Sequence, residues 1–144
     1  MTLQKQILTI ETKAKLSTLW MFYLLNTIFR DIHEFVEPGF IKEVMTRTFN
    51  GTQITESLLL LGGFMVEIPI AMVLLSRLLP YGANRWTNII AAAITLSFEI
   101  VNGTTDLDDT FHMFIEIAAL SLIIWSAWRW RNPASKRYST TQEA

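Results

Sequence analysis

Between Ser57 and Leu79 the chain carries one ionisable side chain, Glu67, before Arg77 closes the run. A helix through that stretch rises ~1.5 Å per residue and is long enough to cross the ~30 Å hydrocarbon layer of a bilayer. A helix of a soluble bundle shows polar residues every three or four positions on its outward face. Leu58 to Leu79 has no such face, so the sequence predicts a membrane span.

Three further apolar runs share this character, and the spans are predicted at about 15–36, 57–79, 86–102 and 110–130. The expected architecture is all-α, a polytopic membrane protein built as a bundle of four transmembrane helices in a single membrane domain. Turn residues fall between or after the spans: Pro38-Gly39, Asn50-Gly51, Pro80-Tyr-Gly82 and Asn132-Pro133. Thr55 followed by Glu56 is suited to open the second helix, and Asp108-Asp109 the fourth, each placing acid at a positive helix end. Gly62-Gly63 and Ala91-Ala92-Ala93 are expected to let helices approach closely. Phe40, Ile41, Val44, Met45 and Phe49 recur at helical spacing. They predict a short amphipathic helix over about 39–49, either on the outer membrane surface or as a lid over the bundle. The tail 131–144 reads as a polar cytoplasmic extension.

Composition excludes several functions. Of 144 residues, 51% are hydrophobic and 17% charged, against roughly 25% charged in soluble domains. No cysteine is present, so a disulfide scaffold, a thiolate metal site and thiol redox chemistry are all excluded. A net charge of −1 gives no bulk attraction for nucleic acid. Twelve bases against 13 acids form a cancellation rather than a neutral chain. With four spans, nine bases (Lys5, Lys13, Lys15, Arg77, Arg85, Arg129, Arg131, Lys136, Arg137) share one side and three (Arg30, Lys42, Arg47) the other. The positive-inside rule then puts both termini in the cytoplasm and leaves an acidic outer mouth. All five tryptophans lie toward the cytoplasmic ends of their spans, as interfacial anchors do.

Ionisable groups inside spans are costly and usually face the bundle interior. Glu67, Glu99 and Glu116 are the three carboxylates concerned. Helical spacing puts Tyr23, Asn26 and Arg30 on one stripe of the first span, next to Asp31. Asn88, Thr95, Glu99 and Asn102 share a stripe of the third, and His112 precedes Glu116 by one turn of the fourth. Glu67 lies about 15 Å from the outer end of its helix, and Arg30 and Glu116 about 9 Å. All of these fall in the outer half. Arg30, the one base at that depth, has Asp31, Glu67 and Glu116 as candidate partners.

The pattern suits an outward-open polar pocket, closed below, that binds or conducts a proton, a metal cation or a small polar ligand. The proposed ligand or ion site comprises Glu67, Glu99, Glu116, His112, Arg30, Asn26, Asn102 and Asp31. Other readings compete. His112, Glu116 and Glu67, with Glu99, Asp108 or Asp109, offer nitrogen and oxygen ligands to a divalent cation. His33 and His112 at the outer ends of adjoining spans would allow a haem bridge. A buried network that merely fixes helix packing is the plain alternative. Pro69 frees the backbone carbonyl of Met65, as a bend or as a polar ligand at mid-membrane. No P-loop, nucleophile elbow or HExxH motif occurs, and no enzyme class is indicated.

Leu16-Ser-Thr-Leu-Trp20, Pro38-Gly-Phe40, the Glu67–Arg77 string, Asn84–Ile90 and Ile123–Trp128 together resemble an uncharacterised family of small bacterial four-span inner-membrane proteins, over about residues 14–132. That family is distantly similar to the DoxX-like group, whose second span also carries a mid-helix glutamate. The resemblance implies a bacterial inner-membrane location and, as an alternative function, a membrane subunit of a quinone-linked redox complex with a redox partner. Relatives that act through thiols use cysteines, which this chain lacks. It carries over no catalytic residue. A homo-oligomer is a further arrangement the sequence allows.

Overall fold

The computed structural model describes residues 3–49, 52–104 and 106–131, so the tail beyond Arg131 lies outside the described residues. The protein is all-α apart from one minute hairpin. Its long helices are α1 (Leu3–Glu34), α3 (Glu56–Leu78), α4 (Tyr81–Asn102) and α5 (Leu107–Arg129). The short α2 (Phe40–Met45) and the antiparallel pair β1 (Thr48–Phe49) and β2 (Thr52–Gln53) fill the first loop. Around the bundle α1 touches α3 and α5, and α4 touches the same two.

The helix ends follow local chemistry. Thr55 caps α3, its hydroxyl accepting from the Leu58 N–H at 3.2 Å. Asp106 caps α5 through the Asp109 N–H at 2.8 Å, so that helix starts three residues before the expected Thr110. α1 begins far ahead of the expected span, because nothing between Leu3 and Lys15 breaks a helix. The loop helix is shorter than predicted. The Thr46 hydroxyl bonds back to the carbonyls of Lys42 and Glu43, and Arg47 turns left-handed at φ 54°, which ends the helix and starts the hairpin.

The bundle buries polar side chains among its apolar core and leaves many large apolar ones outside. Buried side chains include Ser17, Ser76, Asn84, Asn88, Thr95, Glu99 and Glu116, while Leu59, Leu60, Phe64, Leu74 and Phe114 are each 60% or more exposed. α3 and α5 are long and apolar enough to cross a membrane. α1 and α4 fall short of that measure because of the polar residues just named and the charges near their ends.

Two expectations fail in the packing. Trp20 is no surface anchor: it is fully buried, and its indole N–H donates to Asn88 Oδ1 at 2.8 Å. Trp130 is buried as well, edge-on to Tyr81, whose hydroxyl donates to its carbonyl. Trp86, Trp125 and Trp128 do face outward, with Arg85 against the rings of Trp86 and Trp128 and Arg129 against Trp125. Nor do Gly62 and Gly63 mark a close helix contact, since a Cβ on either would meet nothing within 4 Å. Ala91 and Ala92 are buried where helices meet.

Asn88 is the hub of the buried network at that level. Its Oδ1 accepts from Trp20 and from Ser76 Oγ, and its Nδ2 donates to Asn84 Oδ1 at 2.6 Å. Asn84 in turn donates to the Ser76 carbonyl, so α1, α3 and α4 are joined. Asn88→Ala strands the Trp20 N–H and the Asn84 amide oxygen, and should cost ~2–6 kcal/mol at about 1–3 kcal/mol per stranded buried group. Thermal unfolding in mild detergent reads this directly, and an unchanged midpoint contradicts it.

Candidate functional site

Toward the other end of the bundle, the last turns of α1 and α4 and the first turns of α5 bring three charges together. Arg30 Nη1 lies 2.7 Å from Glu116 Oε2 and 3.2 Å from Glu99 Oε2. The second oxygen of Glu99 accepts from the Tyr23 hydroxyl at 2.6 Å. Glu116 is fully buried, Glu99 and Tyr23 nearly so, and Arg30 is 15% exposed. Helical spacing sets this up: Tyr23 and Arg30 are seven residues apart on α1 and so lie on one face, as Thr95 and Glu99 do on α4.

The groups are unevenly satisfied. Glu116 Oε1 is buried without a well-formed hydrogen bond among the described residues. The Thr27 hydroxyl beside it donates to the Tyr23 carbonyl at 3.2 Å. One guanidinium therefore serves two carboxylates, and the cluster holds more acceptor capacity than donors.

Beside it lies a cavity of about 200 Å³ between α1, α3 and α4. Tyr23, Thr27, Arg30 and Asp31 line one wall, Thr95, Glu99 and Asn102 a second, and Met65, Val66 and Pro69 the third. Pro69 has no N–H to offer the Met65 carbonyl, and both residues line the cavity. Below Tyr23 the ring of Trp20 packs edge-on at 6.1 Å, and the Asn88 network begins there. Asp31 and Asn102 are exposed at the rim. Outside the helices, Glu37 shares a hydrogen bond with Asp106 that holds its carboxyl above the ordinary range. The same bond, with the Asp109 backbone N–H, holds Asp106 below it.

The sequence-predicted set thus divides. Arg30, Glu99 and Glu116 meet, with Asp31 and Asn102 beside the same cavity. Asn26 stays out, donating to the Phe22 carbonyl at 2.9 Å. Glu67 also stays out: it is exposed on the outer surface of α3, although Val66 and Pro69 on either side of it line the cavity. His112 turns away from Glu116 towards Asp108 and His33. The expected grouping of His112, Glu116 and Glu67 round one metal is therefore not the one the fold makes. Tyr23 lies on the stripe the sequence marks with Arg30, but a tyrosine in an apolar span gives no sign of which carboxylate it serves, and the fold makes that Glu99.

Fold and site together define a helical-bundle protein organised round a buried guanidinium–carboxylate cluster. The chain belongs to the family described as "Family of unknown function (DUF6326)", which matches residues 6–136. This agrees with the uncharacterised family expected from the sequence. No curated protein and no solved structure matches the chain.

Arg30→Ala leaves Glu99 and Glu116 facing each other without a counter-ion, and should cost ~3–5 kcal/mol as for other broken buried pairs. Adding Glu116→Gln should recover part of that loss. Denaturant unfolding of the single and double variants checks both statements, and equal stability of wild type and Arg30→Ala contradicts them.

Proposed function

We propose that the chain is a four-span membrane protein whose cavity takes up a small cation or a small polar ligand bearing positive charge, a proton included. The carrying observation is the charge balance at the cavity: one guanidinium, Arg30, against Glu99, Glu116 and Asp31. Arg30 is already engaged by two carboxylates, so it is not free to clamp an anion. A cation entering the cavity would meet Glu99 and the Asn102 and Thr27 side chains.

The exposed apolar surface supports the membrane placement. Large apolar side chains outside, with hydrogen-bonded polar layers inside, suit lipid as solvent, where backbone and buried polar groups must be satisfied internally. The nine-to-three distribution of bases supports cytoplasmic termini, and the resemblance to small bacterial inner-membrane proteins supports that membrane as the location. In that orientation the cavity faces outward. The DoxX-like reading, with a quinone and a redox partner, draws on the mid-helix Glu67. That carboxylate stands outside the cavity, so the cation reading is the better supported one.

Both parts are testable. The chain has no native cysteine, so introduced ones report cleanly. In intact cells, Lys42→Cys should react with a membrane-impermeant maleimide and Ala83→Cys only after lysis; the reverse pattern overturns the orientation. For the site, protein in detergent should show saturable tryptophan-fluorescence changes with ammonium, potassium or protons. Glu99→Gln should weaken the response at least ~10-fold, the effect of about 1.4 kcal/mol. Equal responses from both proteins, or none from either, sink the proposal.

A further inference from the structure

A second constellation sits apart from the cavity, where the last turn of α1 meets the first turn of α5. His33 Nδ1 lies 2.8 Å from Asp108 Oδ2, and His112 Nε2 lies 4.0 Å from Asp108 Oδ1. The two imidazoles face each other edge to face at 5.7 Å. One ligand atom from each of the three residues falls within 4.8 Å of the others.

We propose that His33, Asp108 and His112 form a binding site for a divalent transition-metal ion, zinc above manganese or magnesium. Asp108 and His112 are four residues apart on one helix, so both ligands project from one face. His33 closes the triangle from the neighbouring helix. Zinc bonds imidazole nitrogen and carboxylate oxygen at ~2.0–2.2 Å, and three protein ligands with water in the fourth position make an open zinc site. The ligand atoms must draw together by on the order of an ångström to reach that geometry. His33 and Asp108, 54% and 49% exposed, are free to make the adjustment, while the inward His112 is held at 12%.

His112 is the second observation. Its Nδ1 is buried without a hydrogen-bond partner, and its Nε2 is too far from Asp108 for a hydrogen bond. A histidine held inward on those terms lacks the bonds that usually explain a buried imidazole. A metal at Nε2, on the side where Asp108 already stands, would give the ring its one strong bond and leave the proton on Nδ1. Imidazole donors favour zinc over magnesium or calcium, which take oxygen ligands. An open groove lined by Leu107, Asp108, Thr110 and Phe111 gives access. The site shares no residue with the cavity of Tyr23, Arg30 and Glu99, so it stands or falls separately from the cation reading.

The experiment uses the full chain, purified in detergent through a tag without histidine and stripped with chelator. Zinc titration by calorimetry should show one saturable equivalent, with a raised thermal midpoint, and cobalt should give visible d–d absorption. His33→Gln and Asp108→Asn, both at exposed positions, should each lose at least ~10-fold in zinc affinity and most of the cobalt band. Glu99→Gln should retain both, which separates this site from the cavity. If His33 and Asp108 only tie α1 to α5, the variants lose stability equally with and without zinc. That outcome, absent saturable zinc binding in wild type, or undiminished affinity in His33→Gln overturns the proposal.

Discussion

Arg30 is the keystone of the bundle. Among the described residues its guanidinium is the one cation paired with two buried carboxylates, Glu99 on α4 and Glu116 on α5, so three helices are registered by one side chain. Burying such a cluster is expensive, and its net contribution to stability is small compared with the penalty for dismantling it. What it supplies is specificity of arrangement. A slip of α1 by one turn would carry Arg30 ~5.4 Å along the axis and leave both acids unmatched. Tyr23 reinforces the same register one level down by bonding to the free oxygen of Glu99.

The Asn88 network does the same work at the opposite level with neutral groups. Trp20, Ser76, Asn84 and Asn88 are all fully buried, and their hydrogen bonds link α1, α3 and α4. Between the two polar layers the interior is filled by Met72, Ala92, Leu120 and Ile123. The packing logic is that of a bundle held by polar contacts inside and left apolar outside, opposite to a soluble domain.

Much of this was readable from residue order. The four long helices follow from hydropathy and turn residues, and the Thr55 cap from one hydroxyl before an acid. The meeting of Arg30 with acids follows from charge economy in an apolar span. The rest depended on rotation about helix axes. On α3, leucine, valine and isoleucine occur on every side, so no polar stripe marks an inner face, and Glu67 was assigned inward on cost alone. On α4, by contrast, the stripe of Asn88, Thr95, Glu99 and Asn102 marks an inner face. The first three are buried, Asn102 is exposed at the helix end, and the buried Asn84 extends the stripe beyond the residues the sequence marks. Trp20 differs from the surface tryptophans only through its partner on another helix, which local sequence does not encode. His112 had two neighbours at one turn's spacing, Asp108 and Glu116, and only the position of His33 and Arg30 in space decides between them.

The indole of Trp20 ties the two polar layers to each other. It is fixed from below by its bond to Asn88 and packs edge-on under the ring of Tyr23, whose hydroxyl holds Glu99. Two rigid aromatic rings therefore stand in line between the amide layer and the charged one. A change at Asn88 that tilts the indole is passed to the phenol as a displacement, so layers of unlike chemistry answer to one mechanical strut.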